Sequence, residues 1–209
     1  MLVAPSFRWA ATIGGPRALT GKGSNAVPTR DEAIELLHEH TKSDQLRKHG
    51  LAVEAAMRAY SRKYGADEET WAMVGILHDF DYEAHPDEHP YFGARILREA
   101  GWPEEIVEGV LAHAAFTGVA RDTPLKKTIF AVDELTGFIT ACALVYGKSL
   151  SNVTPARVRK KLKDKSFARG VVREEIYTSF EELDWDPDEH IQFVVDSLKP
   201  VAAELGLQP

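Results

Sequence analysis

A histidine and an aspartate stand side by side at the end of an apolar run, as His78 and Asp79 of residues 71–79. Imidazole nitrogen and carboxylate oxygen are both metal ligands. Burying such a pair inside an apolar scaffold is costly unless something binds it. Three more histidines and one more aspartate stand on neighbouring helical segments, which predicts a one- or two-metal site. The six candidate ligands are His49, His78, Asp79, His89, His113 and Asp133.

The spacing of apolar residues indicates that these side chains point inward. Apolar residues recur at intervals of three and four across residues 46–60, and His49 falls on that face. Asp133 and Glu134 are the only charged residues of the apolar run 128–147. A carboxylate in such a buried helix needs a cation or strong hydrogen-bond donors. The mixed donor set suits iron, manganese, cobalt or zinc better than magnesium, which prefers more oxygen ligands.

The helices that carry these residues can be predicted from their capping residues and from the spacing of their apolar residues. No segment has the period-two alternation of a strand, so we expect an all-α fold. Thr29 with Glu32 resembles a capping box, and Ser43 and Gly65 can bound the following helix. The predicted helices cover residues 30–40, 44–64, 67–78, 91–100, 103–115, 125–146, 170–182 and 187–206.

Composition divides the chain into three parts. Residues 1–28 are rich in Gly, Pro, Ser and Thr and lack periodicity, so we expect a disordered extension. Residues 29–147 hold every candidate ligand and form the predicted metal-binding domain. Residues 148–209 change in composition and are expected to form a helical C-terminal appendage packed on that domain.

Charge and cysteine content exclude several classes of protein. The net charge is −7, which does not favour binding of bulk nucleic acid. Cys142 is the only cysteine, so no internal disulfide can form, and we expect a cytoplasmic location. No apolar stretch approaches the roughly 20 residues that span a bilayer, so we expect no membrane partner. The oligomeric state is left open.

The ligand pattern resembles the HD superfamily of metal-dependent hydrolases. That family has a His, then a His-Asp doublet, then a distant Asp, and here they are His49, His78-Asp79 and Asp133. The resemblance covers about residues 30–147 and implies an HD-domain helical bundle around a metal centre. Phe80 follows the doublet where the family usually has Ile and then Gly, a local variation.

A second resemblance is to superfamily members that hold two metals, among them bacterial diadenosine tetraphosphate hydrolases and diiron oxygenases. The segments 89–97 and 111–113 look like the parts of those proteins that supply two further histidines. The resemblance implies that His89 and His113 bind a second metal; otherwise one or both bind substrate phosphate or only pack. Asp81 and Glu83 either accept hydrogen bonds from ligand imidazoles or are solvated loop acids.

A basic run follows the apolar helix and has two readings. Lys160, Lys161, Lys163 and Lys165 either form a solvated helix face or bind substrate phosphate beside the metals. We predict that they are substrate-binding residues, because the chain is otherwise acidic.

These observations and the resemblance together imply a metal-dependent phosphohydrolase that acts on a small phosphorylated molecule, a nucleotide. One or two divalent transition metals per chain (Fe, Mn, Co or Zn) would activate water. Asp79 or Asp133 would act as the catalytic residue that orients the nucleophile. Two alternatives are open: an HD-type diiron oxygenase with the same ligands, and a metal-containing binding or regulatory protein without turnover.

Overall fold

The computed structural model describes residues 28–209, and that part folds into nine α-helices without a named strand. This confirms the predicted all-α class. One isolated parallel bridge joins Ser149 and Gln208. The predicted extension, residues 1–28, lies outside the described residues except for Pro28. The helices are α1 (Arg30–His40), α2 (Asp44–Tyr64), α3 (Glu68–Leu77), α4 (Tyr91–Glu99), α5 (Glu104–Ala112), α6 (Pro124–Val145), α7 (Pro155–Leu162), α8 (Arg173–Glu182) and α9 (Pro187–Leu198).

Side-chain caps set the ends of the first helices as the sequence predicts. The Thr29 hydroxyl accepts a hydrogen bond from the Glu32 N–H, and the Glu32 carboxylate accepts from the Thr29 N–H at 2.8 Å. Ser43 caps α2 at its start, and Gly65 ends it with φ +65°. Glycine suits that left-handed position because it has no Cβ. Helices α1 and α2 are thereby fixed on either side of a three-residue turn.

The last helix is shorter than the sequence suggests. The pattern predicts a helix over 187–206, whereas α9 ends at Leu198 and a 3₁₀ turn, Lys199–Val201, follows. Pro200 has no N–H to continue the α-helical ladder, and its ring clashes with the preceding turn. Gly206 then takes a left-handed conformation, φ +74°. The amphipathic pattern therefore continues after the backbone has left the helix.

A close helix crossing brings α3 against α2. A Cβ placed on Gly75 of α3 would lie 2.8 Å from the backbone N and Cα of Glu54 in α2. Only glycine fits that distance without displacing a helix. The Glu54 carboxylate is almost fully buried there and accepts hydrogen bonds from Arg30 at 2.6 Å and Arg58 at 2.9 Å. The crossing fixes the C-terminal end of α3 against the middle of α2.

The C-terminal helices pack on α2 and α6 and share one hydrophobic core with them. His190 of α9 is buried, accepts a hydrogen bond from the Tyr60 hydroxyl and donates to the Ala131 carbonyl of α6 at 3.2 Å. Trp185 and Phe193 surround the same tyrosine ring. Tyr60 therefore ties α2 to the C-terminal region.

Helix α6 runs through this core. The expectation that no apolar stretch approaches the length of a membrane span is wrong for this helix. By length and composition alone, Pro124–Val145 is apolar enough to cross a membrane, with mean hydropathy 1.6 in its most apolar window. In the fold, 61% of that window is buried against other helices. The core helix of a globular fold passes the same test of length and composition. Its burial accounts for the apolar character of the run around Asp133.

Candidate metal centre

The six predicted ligands come together at one place. They arrive from α2, the end of α3, the turn before α4, the end of α5 and the middle of α6. Two groups have ligand atoms that all lie within 4.8 Å of one another. Asp79 belongs to both groups. The first group is His49, His78, Asp79 and Asp133, and the second is Asp79, His89 and His113.

The first group converges on Asp133. Its Oδ1 lies 2.9 Å from His49 Nε2 and 3.3 Å from His78 Nε2. The two histidine Nε2 atoms lie 3.1 Å apart. Asp79 Oδ2 completes the group, at 3.5 Å from His78 Nε2 and 4.0 Å from His49 Nε2. A space bounded by two nitrogens and two carboxylate oxygens is the donor set that a divalent transition metal takes.

The second group uses the other oxygen of the same aspartate. Asp79 Oδ1 lies 3.3 Å from His89 Nε2 and 3.4 Å from His113 Nε2. Those two nitrogens are 3.1 Å apart. The two oxygens of Asp79 therefore face two separate pairs of histidines. Asp79 would therefore be a ligand of each group if both groups held a metal.

Backbone carbonyls fix the tautomers of two of these histidines. His78 Nδ1 lies 2.8 Å from the Gly75 carbonyl oxygen, and His113 Nδ1 contacts the Val110 carbonyl. A carbonyl oxygen can only accept, so Nδ1 carries the proton in both rings. In a neutral ring the lone pair is then on Nε2, which is the atom that points into the centre.

The Asp81 carboxylate fixes the tautomer of a third histidine, His89. This carboxylate is fully buried and accepts from His89 Nδ1 and from the Gly93 N–H, both at 2.7 Å. The bond to Nδ1 leaves His89 Nε2 free to face Asp79. Glu83 instead accepts from the Lys42 and Ser43 N–H groups, at 2.9 Å each, at the start of α2. Of the two acids left open by the sequence, only Asp81 contacts a ligand imidazole.

The negative charges of Asp79 and Asp133 favour the binding of cations at the centre. Burial alone lowers the pKa of the His78 imidazole, but the negative charges of Asp79 and Asp133 outweigh it and raise that pKa to about 9. The His113 pKa is raised against the same effect of burial, by its hydrogen bond to and the charge of Asp79. Burial raises the pKa of the Asp79 carboxyl, yet the nearby imidazoles lower it overall. Protons here balance the carboxylates, and metal ions bound by deprotonated ligands can replace them. The residues therefore fit the metal that the sequence predicts.

Two acids near the centre are not among the site residues predicted from the sequence. Burial and then the charge of Asp133 raise the pKa of Glu134 to about 7, and the same two causes raise the pKa of Glu175. The Glu134 carboxylate accepts from the Val172 N–H, at 3.1 Å, at the start of α8. Glu134 is visible as the neighbour of Asp133, but nothing in the local pattern places Glu175 of α8 beside α6.

The predicted substrate-binding lysines lie on α7 and just after it. Lys161 Nζ is 3.6 Å from Asp164 Oδ2 and 4.5 Å from the centre of the Phe167 ring. Lys160, Lys163 and Lys165 are exposed. Within residues 28–209, none of the four forms a hydrogen bond or ion pair with a ligand of the metal centre. Their role in binding phosphate stays a prediction.

A family model matches part of the chain. Residues 46–137 match the family model described as HD domain. The matched segment includes all six predicted ligands, from α2 to the middle of α6. No solved structure matches the chain.

Proposed function

The chain is a member of the HD superfamily through residues 46–137, and on that premise we propose that it is a phosphohydrolase acting on a nucleotide. The family is one of metal-dependent hydrolases, and the His and Asp groups of this chain can hold a metal. The observation that carries the proposal is the position of the Asp79 carboxylate between the two groups. Its Oδ2 faces His78, and its Oδ1 faces His89 and His113. Two adjacent metal positions suit phosphoester hydrolysis, because a two-metal clamp stabilises both the attacking and the leaving oxygen.

The ligand side chains differ in their access to solvent. Asp79 is 23% exposed, His49 19% and Asp133 13%, whereas His78 is fully buried and His89 and His113 are nearly so. His78, His89 and His113 are therefore held in the interior, whereas Asp79, His49 and Asp133 have the greater access to solvent. Substrate would approach on the side of Asp79 and Asp133.

These positions support a different proposed role for each group of residues. Bound divalent ions would lower the pKa of a water molecule and polarise the phosphoryl oxygen. Asp79 or Asp133, each partly accessible to solvent, would accept a hydrogen bond from the attacking water and orient it. His78, His89 and His113 would hold the ions, each with its ring fixed through Nδ1. The exposed lysines Lys160, Lys163 and Lys165 would attract a phosphorylated substrate from solution, with Lys161.

The proposal is tested by turnover of a panel of phosphomonoesters, phosphodiesters and nucleotides. The protein is purified without chelator, its metal is quantified, and phosphate release is measured with added Mn²⁺, Fe²⁺, Co²⁺ or Zn²⁺. Asp133→Asn should abolish release, while Asp87→Asn, an exposed acid of the loop before α4, should not change it.

Two outcomes would contradict the proposal. Consumption of dioxygen by the iron-loaded protein, without phosphate release, would identify an oxygenase that uses the same ligands. Full metal occupancy with neither reaction would identify a binding or regulatory protein.

A further inference from the structure

Two exposed aromatic rings meet at the surface next to the metal centre. Phe116 is 67% exposed, the highest fraction among the exposed large hydrophobic side chains of residues 28–209, and Tyr91 is 52% exposed. Their ring centroids lie 6.4 Å apart at an interplanar angle of 68°. In such an edge-to-face pair, each ring keeps at least one face free of the other. More than half of each side chain is accessible to solvent.

The metal ligands bring these rings together. Tyr91 follows His89 by two residues, and Phe116 follows His113 by three. The Nε2 atoms of the two histidines are 3.1 Å apart, so the segments after them leave the centre side by side. A third exposed aromatic, Tyr82, is 48% exposed and packs against the His89 ring, with centroids 5.3 Å apart and planes at 87°.

Hydrogen bonds hold the segments that carry the pair. Phe116 lies in the 3₁₀ turn Ala115–Thr117, where the Thr117 hydroxyl is 2.9 Å from the carbonyl oxygens of both Leu111 and Ala114. Tyr91 begins α4, whose first turn is held by the bond from the Gly93 N–H to Asp81. Backbone segments that are already held in place need no ordering when a ligand binds, which favours affinity.

We propose that Tyr82, Tyr91 and Phe116 form an aromatic surface that stacks the base of a nucleotide whose phosphate lies at the metal centre. The inference rests on the proposed function, because it assigns the part of the substrate that the metals do not reach. Planar bases stack on aromatic side chains whatever their hydrogen-bonding edges are. The position of the surface, continuous with His89 and His113, selects a ring attached to the reacting phosphate rather than a separate partner.

A binding experiment separates recognition of the base from recognition of the phosphate. The probes are the non-hydrolysable phosphonate analogues of AMP and of ribose 5-phosphate, in which a methylene group replaces the bridging ester oxygen. They share sugar and phosphonate and differ only in the base. Calorimetric titration into the metal-loaded full chain measures both dissociation constants without any turnover.

The variants remove one ring at a time from an exposed position, where the fold tolerates substitution. Phe116→Ala and Tyr91→Ala should each weaken binding of the AMP analogue by about tenfold and leave the ribose analogue unchanged. Tyr91→Phe, which keeps the ring, should bind as the wild type does. Tyr177→Ala removes a ring that is 47% exposed on α8 and should change neither constant.

Three results would overturn the inference: no binding of the AMP analogue by the wild type, unchanged binding in both alanine variants, or an equal loss for both probes. Failure of the proposed function is seen separately, as absence of phosphate release. Base-dependent binding without release would retain the aromatic surface and reject hydrolysis. Release without base-dependent binding would retain hydrolysis and reject the aromatic surface.

Discussion

Asp81 and His89 are joined by a 2.7 Å hydrogen bond between a fully buried carboxylate oxygen and the imidazole Nδ1. The other carboxylate oxygen accepts from the Gly93 N–H of α4. One buried acid therefore orients a metal-binding ring and anchors the helix that follows it. Such partners raise the basicity of a ligand imidazole and fix its tautomer.

Replacing Asp81 should weaken metal binding, although Asp81 is not itself a ligand. In Asp81→Asn, one of the two donors would face an amide NH₂ group instead of an oxygen. We expect metal affinity at the second group to fall by about 10–100-fold, as measured by competition with a chromogenic chelator. Glu83→Gln changes an exposed acid of the same loop and should keep wild-type affinity. Equal affinities in Asp81→Asn and the wild type would show that His89 does not depend on this bond.

Metal stoichiometry should distinguish shared from unshared ligands. His89→Ala or His113→Ala removes one member of the second group only, so each variant should lose about one metal equivalent. Asp79→Ala removes the residue common to both groups and should lose both equivalents. The measurement is metal content after dialysis, with helical content by circular dichroism as the control for folding. The assignment of two positions fails if His89→Ala and His113→Ala retain the wild-type stoichiometry.

The α2–α3 crossing should tolerate no side chain at Gly75. A Cβ there would lie 2.8 Å from the backbone of Glu54, so Gly75→Ala must push the helices apart. We expect a loss of about 1–3 kcal/mol in the free energy of unfolding, measured by urea denaturation. Gly170→Ala is the matched control, because no atom lies within 4 Å of its added Cβ. A Gly75→Ala protein as stable as the control would contradict the crossing.

The two roles of Glu134 can be separated by two substitutions. Its carboxylate accepts from the Val172 N–H, and it also adds negative charge beside Asp133. Glu134→Gln keeps an acceptor oxygen and should retain stability, whereas Glu134→Ala removes the acceptor and should lose about 1 kcal/mol. Thermal unfolding of both variants at pH 8 measures the difference. If both variants lose stability equally, the bond to α8 is not what Glu134 contributes.

Acid should destabilise the fold through His190. Burial lowers the pKa of this imidazole to about 4, from 6.5 in the unfolded chain. Between those values the unfolded chain binds a proton that the folded chain does not, so stability falls as the pH is lowered from 6.5 towards 4. By pH 5 the loss should be roughly 2 kcal/mol.

The measurement compares the wild type with His190→Gln, which does not titrate, by urea denaturation with chelator present. The variant should be the less stable protein at pH 7.5, because an amide replaces the ring that contacts Tyr60 and Ala131. Its deficit should shrink by roughly 2 kcal/mol at pH 5. His38→Gln, a change at an exposed histidine of α1, should follow the wild type. A constant gap between wild type and His190→Gln would rule out this source of acid sensitivity.

Local chemistry explains what the sequence predicts well. Caps such as Thr29 and Ser43 act within one helical turn, so they can be read from neighbouring residues. The inward direction of His49 and Asp133 follows from helical period and apolar surroundings. Membership of the HD superfamily is confirmed by the match to residues 46–137, and the all-α class by the nine helices of the described part.

What depends on distant contacts could not be predicted. Asp81 and Glu83 look alike in the sequence, and only the position of His89 relative to the start of α2 separates their roles. The approach of Glu175 to Asp133 depends on how α8 packs on α6, which no local pattern encodes. The meeting of Tyr91 and Phe116 likewise requires that two histidines from different helices share one centre.

The contacts of Tyr60 mean that the unit of folding is larger than the unit of family resemblance. Tyr60 lies inside the matched segment 46–137, but its hydrogen-bond partner His190 and its ring neighbours Trp185 and Phe193 lie outside. Excising the matched segment would remove the hydrogen-bond acceptor of the Tyr60 hydroxyl and the rings that cover it, and would expose the tyrosine to water. The C-terminal helices are thus part of the scaffold that keeps α2, and with it His49, in register.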